Sequence, residues 1–260
     1  MRDFTLKKYS LLLDALAEAG YTFLTFGHYC RLRAAKGLPP KYIILRHDVD
    51  KYPRRAVAMG QLEQDMNICS SYYLRAQRGQ EQVIQTLVRM GHEIGYHYED
   101  LSVMRGKAEK AYESFKSNIE YLRRYADIRT CSKHGSVGSK YDELQLWQQF
   151  DYHDLNLSGE TYLDTDFAAV RYLTDTGRMW DGDKHGVNQY DRVPSQREQA
   201  GVGYHHTDEM IEAIRSGSFP QRVMLSAHPQ RWTDDIMKWG YELIRQNAVN
   251  AIKKIIIDEK

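Results

Sequence analysis

Residues 42–50 read Tyr-Ile-Ile-Leu-Arg-His-Asp-Val-Asp, an apolar run that ends in a cluster of ionisable side chains. A short apolar run of this kind is typical of a buried β-strand, and α/β enzymes place their chemistry at the carboxyl ends of such strands. Alternation along an extended backbone puts Asp48 and Asp50 on one face, with His47 and Val49 on the other. The stretch therefore predicts two adjacent carboxylates, one to bind a metal and one to move a proton.

Helical and strand-like patterns alternate on both sides of this stretch, which predicts parallel β/α units rather than a sandwich or a helical bundle. Apolar periodicity predicts helices over residues 6–19, 53–66, 80–90, 103–125, 208–216 and 234–254. Further strands are predicted over residues 21–26, 70–74, 92–97, 130–133, 152–157, 169–173 and 223–227. Residues 175–203 are the least regular part and fit either a long active-site loop or a surface excursion.

The chain has 260 residues, of which 42% are hydrophobic, enough for one substantial core. We expect a single domain over 1–260, with an N-terminal extension (1–40), a barrel core (42–232) and a C-terminal helix (233–260). The 36 basic and 35 acidic residues are interspersed rather than grouped in blocks. Such a balanced charge argues against nucleic acid as a partner.

The first 20 residues lack the basic segment, apolar segment and small-residue cleavage site of a signal peptide, so we expect a cytoplasmic location. No apolar stretch approaches the roughly 18 residues that a membrane span requires, and we expect none. The three cysteines show no close metal-binding pair. Buried, reduced thiols are the expected state of these residues.

Ionisable residues recur at the ends of predicted strands. His97 ends the strand over 92–97, His134 directly follows the strand over 130–133, and His228 directly follows the strand over 223–227. Because the carboxyl ends of parallel strands meet at one rim, these side chains are expected to lie near Asp48 and Asp50. Histidine and carboxylate groups at one rim are the parts of a metal-assisted hydrolytic site.

From residue 42 to 232 the sequence resembles the polysaccharide deacetylase family, also called the NodB-homology or carbohydrate esterase 4 group. The resemblance implies a distorted seven-stranded (β/α) barrel, here with an N-terminal helical extension. It also implies metal-dependent removal of an acetyl or other acyl group from an N-acylated sugar or related amide. An early Asp pair supplies the base and a metal ligand in that family, which implies Asp48 as the base and Asp50 as the ligand. His228, three residues after Leu225, matches the last family motif and is implied as the acid.

The second family motif reads Gly-His-Glu-Ile-Gly-Asn-His, with a further His four positions later. Residues 91–97 read Gly-His-Glu-Ile-Gly-Tyr-His, so the resemblance makes His97 a metal ligand. Leu101 stands at the second ligand position and cannot coordinate a metal. His134 is the preferred substitute because it keeps nitrogen coordination, and Glu99 is the alternative. This ligand set suits a divalent metal, zinc first, with nickel, cobalt, manganese and iron as further candidates.

Candidate substrate-binding residues flank the predicted strand ends; they are Tyr98, Asp175, Arg178, Trp180, Arg231 and Trp232. In this interpretation Tyr98 helps to hold the oxyanion, and Asp175 orients His228 or a basic residue of the site. An arginine and a tryptophan suit hydrogen bonding to a sugar and stacking on its apolar face. A turn around a buried Trp180 fits the same residues equally well.

Two alternatives stay open at this point. Leu101 motivates a catalytically degenerate barrel that acts as a carbohydrate-binding or regulatory module. A hydrolase of a different C–N bond or of a glycosidic bond is the second, because a fold and a carboxylate pair do not specify the bond broken. In each case the expected partner is a small molecule or an oligosaccharide, and a cytoplasmic enzyme would act on a soluble, nucleotide-linked or lipid-linked precursor. The sequence does not specify an oligomeric state.

Overall fold

Eight parallel strands form one sheet in the computed structural model of this protein, which describes residues 2–135, 139–180 and 203–258. The strands are β1 (Thr22–Leu24), β2 (Tyr42–Val49), β3 (Ser71–Leu74), β4 (Glu93–Tyr98), β5 (Thr130–Lys133), β6 (Gly159–Glu160), β7 (Arg171–Thr174) and β8 (Arg222–Ala227). Every pairing between them is parallel, as the alternation of helices and strands predicts.

The order of pairing shows how the sheet curls. Along the sheet the strands run β6-β5-β4-β3-β2-β8-β7, and β1 pairs with the first half of β2. Strand β2 pairs with β3 on one side and with the last strand, β8, on the other. An early and a late segment of the chain are therefore neighbours in the sheet. The described residues show no pairing between β6 and β7, so the barrel is open there. The predicted distorted parallel barrel is confirmed.

Helices cover the outside of this sheet. They are α1 (Leu6–Glu18), α2 (Phe26–Ala34), α3 (Arg54–Asp65), α4 (Glu81–Arg89), α5 (Asp100–Val103), α6 (Ala108–Arg123), α7 (Thr207–Arg215) and α8 (Ile236–Asp258). Helix α4 illustrates why they form, since Val83, Ile84 and Leu87 recur at helical spacing and are all buried. Within the described part of the chain, no helix has the length and apolar character to cross a bilayer.

Alternation within the strands divides the core into an outer and an inner layer. Tyr42 and Ile44 of β2 point into the barrel, where they meet Tyr73 of β3 and Met224 of β8. These apolar side chains fill one end of the barrel, and the polar residues further along each strand lie at the other end. The filled end therefore supports a polar rim at the carboxyl ends of the strands.

The N-terminal extension differs from its prediction in one respect. Residues 26–34 form α2, which the sequence analysis did not predict, because only a few apolar residues lie on it. Thr25 caps this helix by accepting a hydrogen bond from the backbone N–H of His28 at 3.2 Å. Phe26 and Tyr29 of α2 are buried in the same apolar cluster as Tyr42. The extension thus closes the apolar end of the barrel.

Two predicted elements are wrong in type or in length. The predicted strand over 152–157 is instead a 3₁₀ helix, Tyr152–Leu155, because the Asp151 side chain accepts the backbone N–H of His153 at 2.8 Å and caps it. The predicted helix over 103–125 is α6, which begins only at Ala108, because Arg105 and Gly106 have φ angles of 53° and 78° and turn the chain between α5 and α6. Most of the irregular stretch over 175–203 lies outside the described residues.

Candidate metal centre

Side chains that face the inside of the barrel meet at the carboxyl rim of the sheet. Asp48 lies in β2 and Asp50 just beyond it, His97 lies in β4, and His134 and His228 follow β5 and β8. Each shares the inward face of its strand through the two-residue alternation that also buries His47 on the opposite side of β2. The strand ends therefore bring together the residues that the sequence singled out.

Asp50, His97 and His134 form a group whose nitrogen and oxygen atoms all lie within 4.8 Å of one another. The Oδ1 atom of Asp50 is 3.4 Å from Nε2 of His97 and 3.6 Å from Nε2 of His134. One carboxylate and two imidazoles are a donor set that zinc and similar divalent ions accept. Among the described residues, these three side chains are close enough to share one metal ion.

Hydrogen bonds to the far side of each ring orient these histidines. Nδ1 of His97 donates to the carbonyl oxygen of Ser132 at 3.0 Å, and Nδ1 of His134 faces Oε2 of Glu99 at 3.1 Å. A hydrogen on Nδ1 leaves the Nε2 lone pair of each ring directed at Asp50. Metal-binding histidines are held in this way by an acceptor behind the ring.

The carboxylate of Asp50 is partly buried, with 19% of its side chain exposed. Its Oδ1 atom is buried and accepts no hydrogen bond from the described residues, although it is charged. Burial opposes its ionisation, but the imidazole of His97 beside it and the nearby rings of His228 and His134 hold its pKa well below the usual range. An ionised, buried oxygen with no donor is what a cation would satisfy.

Glu99, the alternative third ligand, faces away from this group. Its Oε1 pairs with Nη1 of Arg75 at 3.1 Å, and its Oε2 contacts the ring of His134. Leu101 is buried in the outer apolar layer, and its backbone N–H donates to Glu143 at 2.8 Å. The structure therefore brings His134 to the group, and it uses Glu99 to hold His134.

Asp48 lies beside the candidate metal site and pairs with a buried arginine. Nη2 of Arg46 donates to Oδ2 of Asp48 at 2.6 Å, and Nε of Arg46 lies 3.3 Å from Oδ1. Burial opposes ionisation of Asp48, but Arg46, His97 and His228 together lower its pKa below the ordinary value. Asp48 is thus ionised at neutral pH and can accept a proton.

His228 has a carboxylate behind its ring. Oδ1 of Asp175 accepts a hydrogen bond from Nδ1 of His228 at 2.6 Å, and Oδ2 of Asp175 accepts the backbone N–H of His228 at 3.0 Å. Nε2 of His228 lies 3.8 Å from Oδ2 of Asp50. Burial opposes ionisation of Asp175, yet Arg231 and His228 hold its pKa well below the usual range. Asp175 therefore orients His228 toward the group.

Most of the predicted substrate-binding residues are buried beneath the site, which is a correction. Tyr98 is fully buried in the outer layer and accepts a hydrogen bond from Trp147 at 2.8 Å, because it alternates with His97 on β4. The others support the rim from below, where they are at most 9% exposed; these are Arg178, Trp180, Arg231 and Trp232.

Their contacts explain this burial. Trp180 donates to Thr207 at 2.9 Å and packs near Trp232, whose indole N–H donates to Asp175 at 2.7 Å. Arg231 donates to Asp175 at 2.5 Å, and Arg178 donates to the carbonyl oxygen of Arg231 at 3.2 Å. These side chains hold Asp175 and the chain around it, and they leave little surface for contact with a sugar.

Several residues of the rim were missed by the sequence analysis. Arg75, two positions beyond the inward-facing Tyr73, contacts both Glu99 and His134. Gln230 donates to Oδ2 of Asp50 at 3.1 Å. Tyr52, two positions beyond Asp50, is 45% exposed. Alternation along β3 predicts that Arg75 faces the same side as Tyr73. Gln230 and Tyr52 lie outside the strands, where alternation predicts nothing.

Comparisons with known proteins complete the description. No family model matches the sequence, and no curated protein matches it. A carbohydrate esterase 4 esterase from Streptococcus mutans superposes with a TM-score of 0.46 at 11% identity, covering 93% of this chain and 90% of that one. A peptidoglycan N-acetylglucosamine deacetylase gives a TM-score of 0.42 at 13% identity over 80% of this chain and 82% of that one.

A carbohydrate esterase 4 pseudoenzyme from Bacillus anthracis gives a TM-score of 0.45 at 9% identity, covering 81% of this chain and 65% of that one. The chain thus spans about two thirds of the length of that relative. All three TM-scores lie below 0.5. The chain is similar in structure to carbohydrate esterase 4 proteins, a pseudoenzyme among them.

Proposed function

We propose that this protein is a metal-dependent hydrolase that removes an acetyl or other acyl group from the nitrogen of an N-acylated sugar or a related amide. The observation that carries this proposal is the buried Oδ1 of Asp50, which accepts no hydrogen bond from the described residues while Nε2 of His97 and of His134 face it. A hydrolytic site also needs a base and an acid. Asp48, whose pKa Arg46, His97 and His228 lower against the effect of burial, would supply the base, and His228, whose Nε2 lies 3.8 Å from Oδ2 of Asp50, would supply the acid.

Asp50, His97 and His134 would hold the metal. A divalent cation in this position would supply Lewis acidity toward the acyl oxygen and toward the attacking water. The residues behind the ligands fix their orientation, since Ser132 and Glu99 hold the two imidazole rings. Asp50 is the central residue of the group because its two oxygens face three histidine rings.

Asp48 would take a proton from the attacking water. Its salt bridge with Arg46 keeps it ionised and fixes its orientation, so it is available as an acceptor at neutral pH. Ser226 adds a longer contact from Oγ to Oδ2 of Asp48 at 3.4 Å. A carboxylate that is both paired and rigid transfers a proton over a fixed distance, which is what general base catalysis requires.

His228 would return a proton to the leaving nitrogen. Asp175 accepts its Nδ1 hydrogen, which directs Nε2 toward the rim and stabilises the imidazolium form of the ring. Water would form a C–O bond to the acyl carbon as Asp48 takes one of its protons, and the C–N bond would then break as the amine takes the proton from Nε2 of His228. The carboxylic acid that is left ionises at neutral pH, and transfer of the proton on Asp48 to His228 through solvent restores both residues. The products are a carboxylate and a free amine.

An exposed tyrosine two residues after Asp50 is our candidate for contact with a sugar. Tyr52 follows Asp50 closely in the chain, and the guanidinium of Arg55 lies 4.8 Å from the centre of its ring. Such a ring can cover the apolar face of a sugar while the acyl group reaches the ligands. Tyr52 is therefore the residue we assign to sugar stacking, in place of the buried tryptophans.

Acetate release from a panel of N-acetylated sugars tests the proposal. Protein reconstituted with zinc is expected to release acetate, and Asp48→Asn is expected to keep its metal and to lose activity by about a hundredfold or more. Removal of the metal with a chelator should abolish release, and re-addition should restore it. Release of free sugar in place of acetate, or equal activity of Asp48→Asn, would overturn the proposal.

One contact favours a non-catalytic alternative. Nη2 of Arg75 lies 2.8 Å from Nε2 of His134, the nitrogen that the metal would need, and Leu101 supplies no replacement. A barrel that had lost its metal would bind a carbohydrate without turning it over. Binding of a sugar together with no acetate release at any added metal concentration would favour this alternative.

A further inference from the structure

Arg75 is the one side chain that contacts both Glu99 and His134 in the described part of the rim. Nη1 of Arg75 lies 3.1 Å from Oε1 of Glu99, and Nη2 lies 2.8 Å from Nε2 of His134. The third edge of the triangle is the contact between Oε2 of Glu99 and Nδ1 of His134 at 3.1 Å. Two of these edges hold His134: Glu99 contacts Nδ1, whereas Nη2 of Arg75 is closest to Nε2 and also lies 3.2 Å from Nδ1.

The two edges have opposite consequences for a metal. Glu99 takes the Nδ1 side and so leaves the Nε2 lone pair directed toward Asp50. Because Nδ1 directs its hydrogen at Glu99, Nε2 is the ring nitrogen that can accept a hydrogen bond from Nη2 of Arg75, and one nitrogen lone pair cannot serve a guanidinium and a metal together. A metal therefore has to displace the hydrogen bond from Arg75 before His134 can coordinate it.

Asp50 shows that Arg75 does not replace the metal. The Oδ1 atom of Asp50 accepts no hydrogen bond from the described residues, so the guanidinium does not satisfy the whole group. Arg75 also keeps an unpartnered, buried Nε. The side chain is thus held through its outer nitrogens and can turn away from His134 without breaking a contact at Nε.

We propose that Arg75 competes with the metal for Nε2 of His134 and thereby lowers the metal affinity of the site, while Glu99 raises it by holding the ring. This inference rests on the metal site of the proposed function. In the metal-free protein Arg75 stabilises the rim by bridging Glu99 and His134. In the metal-loaded protein it keeps only its pairing with Glu99. The observed zinc affinity is then the intrinsic affinity multiplied by the fraction of molecules in which Arg75 does not hold His134.

Calorimetric titration with zinc alone tests the competition. Arg75→Gln is expected to bind zinc about tenfold more tightly than wild type, because a hydrogen bond from a charged donor no longer has to be broken. Glu99→Gln is expected to bind about tenfold or more weakly, as found when the group behind a metal-binding histidine is removed. Arg78→Gln is the matched control, since Arg78 is exposed on the same loop and its substitution removes the same charge. It should change the affinity less than twofold.

Arg75→Lys separates the charge from the geometry. An ammonium keeps the positive charge and can pair with Glu99, but it lacks the fork that reaches Glu99 and His134 together. It should therefore also bind zinc more tightly than wild type. Arg75→Lys also takes the place of Arg75→Gln in the zinc titration if Arg75→Gln does not fold.

The unfolding temperature provides a readout that needs no activity. Without metal, Arg75→Gln should unfold at a lower temperature than wild type. At saturating zinc the two unfolding temperatures should lie closer together. Unchanged or weaker zinc binding by Arg75→Gln and Arg75→Lys would overturn the inference while leaving the proposed function in place. If neither wild type nor any variant binds zinc or another divalent ion, the metal site itself fails, and the inference fails with it.

Discussion

Oδ1 of Asp175 lies 2.6 Å from Nδ1 of His228, and Nε2 of the same ring lies 3.8 Å from Oδ2 of Asp50. This pair links a buried carboxylate below the rim to the candidate metal ligand within it. Asp175 is fully buried, and Arg231 and Trp232 occupy its remaining acceptor positions. Its arrangement is that of a residue which fixes one tautomer and one orientation of the histidine.

Replacing Asp175 with Asn should therefore impair turnover without removing the metal. The amide can accept one hydrogen bond but cannot stabilise an imidazolium, so kcat should fall by about a hundredfold or more at little change in metal content. Asp166→Asn is the control, because Asp166 is exposed. Loss of metal in Asp175→Asn, or an unchanged kcat, would show that Asp175 does not act by orienting His228.

The salt bridge between Arg46 and Asp48 yields a prediction about stability. Arg46 is fully buried, so Arg46→Met leaves the Asp48 carboxylate unpaired in the barrel and should cost about 3 to 5 kcal/mol of unfolding free energy. The double variant Arg46→Met, Asp48→Asn should recover part of that loss, because no unpaired charge remains. Urea denaturation measures both. Additive losses in the double variant would mean that the two residues are not coupled.

Leu101→His tests whether the missing family ligand can be restored by one substitution. Leu101 is 3% exposed in the outer apolar layer, on the far side of the strand ends from Asp50. A histidine there should destabilise the protein by about 2 to 4 kcal/mol and leave zinc affinity unchanged. Tighter zinc binding by Leu101→His would contradict the orientation of α5 described above.

Much of this arrangement follows from strand alternation. The sequence places Asp48 and His47 on opposite faces of β2, and the structure has Asp48 at the rim and His47 against Glu63 of α3. The parallel order of the strands follows equally from the alternation of helices and strands. Local patterns of this kind are carried by each residue's immediate neighbours, and so they can be predicted from sequence.

What could not be predicted depends on contacts between distant residues. Tyr98 is an exception, because the alternation that points His97 inward predicts an outward side chain at Tyr98. The burial of Trp180 and Trp232, by contrast, comes from packing against Phe4, more than 170 positions away in the chain. The bridge from Arg75 to His134 joins β3 to β5 and has no local signal. The cytoplasmic location, the single domain and the identity of the metal stay predictions.

Glu63 makes the acid stability of the fold testable. This fully buried carboxylate contacts Nε2 of His47 at 2.7 Å, the hydroxyl of Tyr9 at 2.5 Å and that of Ser70 at 2.6 Å. Burial opposes its ionisation, but His47 and further hydrogen bonds lower its pKa to about 2.

A carboxyl whose pKa is lower in the folded protein stabilises it above the unfolded value near 4.5, and this stabilisation is lost as the pH falls toward 2. Wild type should therefore lose on the order of 3 kcal/mol more than Glu63→Gln between pH 5 and pH 2. Denaturant unfolding at a series of pH values measures this difference. Parallel stability curves for the two proteins would contradict it.

Metal content tests the central claim most directly. Elemental mass spectrometry of purified, zinc-reconstituted protein should find close to one metal ion per chain in wild type. Asp50→Ala, His97→Ala and His134→Ala should each lose it, and Glu99→Ala should retain it at saturating zinc because Glu99 acts behind His134. Absence of metal from wild type after reconstitution, or its retention in His134→Ala together with its loss from Glu99→Ala, would contradict the site described here.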